Sequence, residues 1–133
     1  MIAPDAEAIA DLAETALTMV PPRLRERLGQ VAVAVEELAD DETLAALGIQ
    51  SPYDLTGLYH GVPLNLRGAN DGGRLPDRIV LYRQAILLEW IETGEDLARL
   101  VGSVMIHEAA HHFGFSDAEI EALEAEGPQG APG

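Results

Sequence analysis

Side chains of types that bind metal ions are concentrated between positions 107 and 117, and several of them have the spacing of one helix turn. The segment VMIHEAAHHFGFSD, residues 104 to 117, contains His107-Glu108-Ala109-Ala110-His111, an HExxH pattern. In an α-helix the two histidines lie one turn and about 40° apart, so both imidazoles can reach one metal ion. Glu108 lies next to that face, where its carboxylate can accept a proton from a metal-activated water.

Gly114 and Asp117 extend the pattern to HExxHxxGxxD. A catalytic zinc ion needs three protein ligands and one open position, so two histidines do not complete a site. A straight helix would carry residue 117 past the metal, whereas a glycine in the left-handed conformation ends the helix and turns the chain back. We therefore predict that His107, His111 and Asp117 bind one Zn²⁺ per chain. Iron in an open two-histidine, one-carboxylate site is the alternative metal.

The side chains around this pattern have alternative interpretations. Asp117 could cap the helix that follows it, although Ser116 can also take that role. Glu121 or Glu124 from that helix is an alternative third ligand. His112 points about 100° away from His111, which predicts a structural role rather than metal binding.

Other candidate residues are expected to pack in the core or to lie at the surface. His60 is predicted at the surface or in a loop, with substrate contact as its alternative. Tyr53, Tyr59 and Tyr82 are core residues by default, and any of them could stabilise an oxyanion. Trp90 is predicted in the core. The acidic residues 119, 121, 124 and 126 are predicted to form a solvated helix face.

Helices and short strands must position the HExxH segment. Hydrophobic spacing and Pro, Gly and Asp signals predict several helices and about three short strands. The predicted helices span 5–19, 40–47, 84–91, 95–113 and 117–126, and a further short helix begins at the Pro21-Pro22 pair and ends at Arg27. The predicted strands span 30–35 and 78–83, with a short edge strand near 58–59. This inventory is an α+β pattern rather than a βαβ series.

The segment HEAAHHFGFSD resembles the extended metal-binding motif of zincin metallopeptidases, with metzincin-like spacing and aspartate as the third ligand. With GLYHGVPL and PDRIVLYR upstream, residues 25 to 126 resemble the small bacterial minimal-zincin family. The resemblance implies a zincin-like fold, in which a small mixed sheet packs on the HExxH helix with an edge strand beside the metal. By position it implies that His107, His111 and Asp117 are zinc ligands and that Glu108 is the general base.

The implied activity is zinc-dependent hydrolysis of a bond in a peptide or protein substrate. Only 16 residues follow Asp117 and none is methionine, so we expect no Met-turn and no lower cleft wall of the larger metzincins. That expectation motivates an alternative, a zinc-binding regulatory or partner-binding module without protease activity. A purely structural domain with a packed HExxH helix is the third hypothesis.

The composition limits the partners. The 133 residues carry a net charge of −15 and no cysteine, which excludes disulfides and thiolate metal sites and disfavours nucleic acid and anionic membranes. The acidic start is unlike an export signal, and no window is apolar enough to span a bilayer, so we expect a cytoplasmic protein. We further expect a monomer with one domain over residues 1–126 and a disordered tail over 127–133.

Overall fold

The structure, a computed structural model, describes residues 3–28, 31–61 and 77–126. The described part of the chain contains six α-helices, three strands and one short 3-10 turn, which confirms the α+β class. The elements are α1 (Ala6–Thr18), α2 (Pro22–Leu28), β1 (Val31–Glu36), α3 (Asp41–Leu47), the 3-10 turn (Pro52–Asp54), β2 (Gly57–His60), β3 (Asp77–Tyr82), α4 (Arg83–Thr93), α5 (Leu97–His112) and α6 (Asp117–Glu126). The tail predicted to be disordered, 127–133, lies outside the described residues.

The three strands form one mixed sheet in the order β1-β3-β2. β1 runs parallel to β3 with Val31 opposite Asp77, and β2 runs antiparallel to β3 with Tyr59 opposite Ile79. The central strand β3 has an almost continuous apolar run because both of its faces are covered. β2 is an edge strand of this sheet, as predicted.

The two faces of β3 contribute to two hydrophobic clusters. Ile79 and Leu81 are fully buried in the larger cluster, together with residues of α1 and α5 such as Ile9 and Met105. Each aliphatic side chain of this size stabilises the fold by about 2 kcal/mol through burial. The alternate β3 residues pack in a smaller cluster with Ala39, Leu44, Leu55 and Ala85. The larger cluster fixes α5, and therefore the HExxH segment, against the sheet.

Short polar signals set the helix ends where the sequence predicts them. The Asp40 side chain accepts a hydrogen bond of 2.7 Å from the Thr43 amide and begins α3, and Gly48 ends it with a φ of 71°. Asp96 caps α5 by accepting a 3.1 Å hydrogen bond from the Arg99 amide. No helix in the described ranges combines the length and apolar character that crossing a bilayer needs.

The predicted positions of three side chains need correction. Tyr53 is 44% exposed and not a core residue, because it lies in a one-turn helix that contains no buried residue. Trp90 is only partly buried against the larger cluster, and its neighbour Ile91 is 74% exposed. Successive residues of a helix point about 100° apart, so Trp90 and Ile91 lie on different sides of α4. Only one side of α4 packs against the rest of the protein, and residues on its other sides are exposed. His60 lies at the end of β2 and not in a loop.

Candidate metal centre

His107 and His111 form a close pair on the exposed side of the last turns of α5. Their Nε2 atoms are 3.1 Å apart, and their rings meet edge to face with centroids 4.6 Å apart. The side chains are 48% and 47% exposed, so an incoming ion and a substrate can reach both rings. The structure thus brings together the two histidines that the sequence pairs.

The separation of the two nitrogens matches that of two ligands on one zinc ion. At ordinary Zn–N distances and tetrahedral angles, two ligand nitrogens are about 3.3 Å apart. The observed 3.1 Å is close to that value. The histidine pair therefore fits zinc in both donor type and spacing.

The chain reverses direction directly after the pair. Gly114 has a φ of 82°, which is the left-handed conformation predicted for it. The Phe115 amide donates to the Ala110 carbonyl at 2.9 Å and the Gly114 amide donates to the His111 carbonyl at 3.1 Å. This pair of hydrogen bonds is a Schellman motif, which ends α5 and directs the chain back toward the histidines.

Ser116, and not Asp117, caps the returning helix. The Glu119 amide donates to Ser116 Oγ at 3.1 Å, and the Ser116 amide donates to Glu119 Oε1 at 3.0 Å. These reciprocal bonds are a capping box. The cap role considered for Asp117 is therefore filled by its neighbour, and the Asp117 carboxylate is available for another partner.

The Asp117 carboxylate lies beside the histidine pair. Its Oδ1 is 3.5 Å from His111 Nε2, and its side chain is 91% exposed. Within the described ranges, no three His, Asp or Glu side chains converge closely enough to hold an ion together. The histidines are thus positioned as a pair, with an exposed carboxylate next to them that is free to rotate. The role of Asp117 as third ligand stays a prediction.

Glu108 lies next to the histidine face of α5, on the side that packs toward β2. β2 passes so close that a Cβ atom at Gly57 would be 2.8 Å from Val104 Cγ1 and 3.4 Å from Glu108 Cγ. Burial raises the pKa of Glu108 to about 7. A carboxyl group with a pKa near neutrality is suited to accept and return a proton at neutral pH.

His112 also faces the sheet, as its angular position predicts. Its ring stacks on Tyr59 with centroids 3.9 Å apart, and the Tyr59 hydroxyl donates to Asp77 Oδ2 at 2.8 Å. Tyr82 is buried, and its pKa is raised mainly by that burial and further by acidic neighbours that include Glu108. The oxyanion role considered for the tyrosines stays untested.

Glu124 has contacts that sequence reasoning missed. It accepts a hydrogen bond of 2.9 Å from Ser103 Oγ, and its Oε1 is 3.8 Å from His107 Nδ1. The sequence suggests for it only a solvated position or a place among the metal ligands. The missing information was that α6 folds back along α5 and places residue 124 beside residues 103 and 107.

The α+β fold and the helix-borne histidine pair are those of a zincin-like protein. A family model described as zincin-like metallopeptidase matches residues 28–127, and the chain belongs to this family. Membership confirms the resemblance inferred from the sequence, and this family in general binds zinc.

Among solved structures, the chain is similar to a conserved hypothetical protein from Thermo thermophilus. The two are 27% identical with a TM-score of 0.50, over 92% of this chain and 99% of that chain. Among curated proteins, no significant match is found.

Proposed function

We propose that this protein is a zinc-dependent metallopeptidase with one zinc ion per chain. His107, His111 and Asp117 would hold the ion, and Glu108 would act as the general base. The observation that carries this proposal is the exposed histidine pair, whose Nε2 atoms are 3.1 Å apart. Membership in the zincin-like metallopeptidase family supports the same conclusion.

The chain itself supplies the proton transfer. A bound zinc ion would supply Lewis acidity, which polarises a carbonyl group and lowers the pKa of water. Glu108 accepts the proton of the attacking water and passes it to the leaving amine. The close approach of β2 shields Glu108 from bulk water, and this burial raises its pKa to about 7 in the metal-free protein, which favours a carboxyl group that can both accept and return a proton.

The substrate class follows from the chemistry and the charge of the chain. A water-attack mechanism with proton return to an amine suits a peptide bond in a peptide or protein. The net charge of −15 favours basic or neutral substrates over acidic ones. We expect a monomer that acts in the cytoplasm, without nucleic acid or membrane as a partner.

A second candidate function is a zinc-binding regulatory or partner-binding module without protease activity. In the part of the chain that the structure describes, no three ligand side chains are gathered in advance. A metal that draws Asp117 to the histidines would tie the start of α6 to the end of α5. Such a link suits a metal-controlled binding surface as well as it suits an enzyme.

Elemental analysis and a peptide-library assay test the two functions together. The metallopeptidase predicts about one zinc per chain, lost in His111→Ala, and turnover that Glu108→Gln abolishes while keeping its zinc. Glu92→Gln is the matched control, because Glu92 is an exposed glutamate on α4. Zinc without turnover in any protein would support the module. Absence of zinc after zinc is supplied would exclude both functions.

A further inference from the structure

The two acidic side chains of α6 approach the histidine pair at chemically different atoms. Asp117 Oδ1 lies 3.5 Å from His111 Nε2, which belongs to the side where the two rings face each other. Glu124 Oε1 lies 3.8 Å from His107 Nδ1, the ring nitrogen on the remote side. The position of Asp117 suits a metal ligand, whereas the position of Glu124 does not.

Ser103 holds the Glu124 carboxylate in this position. The Ser103 hydroxyl donates a hydrogen bond of 2.9 Å to Glu124 Oε1. Ser103 and His107 are four residues apart on α5 and therefore lie on one face of the helix. The serine, the carboxylate and the imidazole form a row where α5 and α6 pack. The carboxylate needs to move by only about 0.8 Å to reach hydrogen-bond length from Nδ1.

This arrangement selects the tautomer of His107. A contact of 3.1 Å between the Nε2 atoms of two neutral imidazoles requires one N–H donor and one acceptor. A carboxylate is only an acceptor, so Glu124 favours the proton on Nδ1 of His107 and leaves its Nε2 as a lone pair. His111 then carries its proton on Nε2, the atom that Asp117 approaches.

We propose that Glu124, held by Ser103, is a positioning residue that keeps His107 in the Nδ1–H tautomer with its Nε2 lone pair toward the metal. The inference rests on the proposed zinc site, because histidine ligands usually donate their second N–H to a carboxylate or carbonyl. It gives Glu124 a role distinct from both sequence-based alternatives, the third ligand and the solvated face.

The first test reads the tautomer in metal-free protein by ¹⁵N NMR of the imidazoles, at mildly alkaline pH where free imidazole is neutral. We expect the Nδ1–H form of His107 in the wild type and a shift toward the Nε2–H form in Glu124→Ala. Glu124→Gln keeps a carbonyl acceptor and should retain much of the wild-type signal. Glu92→Ala is the matched control, since Glu92 is an exposed glutamate on α4 with no part in the proposed site. An unchanged tautomer in Glu124→Ala would overturn the proposal.

The second test measures zinc affinity by competition with a chromophoric chelator. Loss of a carboxylate partner of a histidine ligand weakens metal binding by about 10- to 100-fold, which is the effect expected for Glu124→Ala. Ser103→Ala should act in the same direction with a smaller effect, and it serves as the test if Glu124→Ala does not fold. Glu92→Ala should bind as the wild type does.

The outcomes separate this inference from the proposed function. A loss of zinc in Glu124→Ala as complete as in His111→Ala, with zinc retained in Asp117→Ala, would make Glu124 a ligand and overturn the positioning role. Unchanged affinity in both Glu124→Ala and Ser103→Ala would also overturn it. If the wild type binds no zinc, the proposed function fails, and the tautomer measurement alone decides whether Glu124 positions His107.

Discussion

Two faces of one helix turn give neighbouring histidines different environments. On the open face of α5, formed by His107 and His111, both rings are nearly half exposed and meet at their Nε2 atoms. On the sheet face, formed by Glu108 and His112, side chains pack against β2. Residue type alone therefore does not define the site. The angle at which α5 lies on the sheet decides which histidine is available to a metal and which one packs.

The largest expected contrast is between His111→Ala and His112→Ala. The first should abolish zinc binding and leave the fold intact, because His111 is exposed. The second should keep zinc binding but lower the free energy of unfolding by about 2 kcal/mol, because it removes the stacked ring from Tyr59. Zinc analysis and urea denaturation of both variants measure these effects. Loss of zinc from folded His112→Ala would show that the two faces are not separate.

The pH dependence of stability tests the burial of Glu108 in metal-free protein. Its pKa of about 7 in the folded state exceeds the ordinary 4.5, so the native protein binds more protons than the unfolded chain between these values. The stability that protonated Glu108 contributes is complete below about pH 4.5 and is lost as the pH rises through about 7. We expect the loss to be roughly 1 to 3 kcal/mol.

Glu108→Gln should remove that pH-dependent loss, because an amide does not ionise. The measurement is the free energy of unfolding against pH for the variant, the wild type and Glu92→Gln. Parallel curves for Glu108→Gln and the wild type would mean that Glu108 is solvated, and the distinction between the open face and the sheet face would then not hold for it.

Tyr59→Phe tests the hydrogen bond between Tyr59 and Asp77, which supports the tyrosine ring that packs on the sheet face of α5. The substitution keeps the ring that stacks on His112 but removes the hydroxyl that donates to the buried Asp77 carboxylate. Weakening the solvation of a buried charge should lower the free energy of unfolding by about 2 kcal/mol. Zinc affinity should not change. Affinity that falls together with stability would indicate that the two faces are coupled.

The smallest effect is expected for Ser116→Ala, which removes the cap of α6. Loss of an N-cap side chain costs about 1 kcal/mol. Because Asp117 is the first residue of α6, fraying there should also weaken zinc binding slightly if Asp117 is a ligand. Ser116→Asp, which keeps a capping oxygen, should restore both quantities. A normal zinc affinity in a measurably frayed Ser116→Ala helix would argue against Asp117 as ligand.

Local signals in the sequence were enough to predict most of the fold. Asp40 and Gly48 bound α3 because a capping carboxylate and a left-handed glycine act within a few residues. The angular difference between His111 and His112 likewise follows from the helix repeat alone. The role of Gly114 in turning the chain depends only on its own φ angle, which is 82°.

Contacts between distant segments could not be predicted in the same way. The partners of Glu124 are set by how α6 packs on α5, and no periodicity within α6 contains that information. The exposure of Tyr53 and the partial burial of Trp90 depend on which elements cover them, and hydrophobicity alone favoured full burial. The burial of Glu108 likewise requires β2, which lies some 50 residues earlier in the chain.

The topology of the sheet has a consequence for the order of folding. β1 pairs with β3 across a long intervening segment. Forming this pairing costs loop-closure entropy, so we expect it to form slowly. The helical hairpin of α5 and α6 has low contact order, because its histidines and carboxylates are close in sequence. The proposed metal ligands are therefore brought together by local contacts, whereas burial of the proposed general base also requires the edge strand β2. Under the proposed mechanism, the burial that prepares Glu108 for proton transfer depends on the most distant contacts of the fold, whereas the spacing of the histidine pair depends only on one turn of α5.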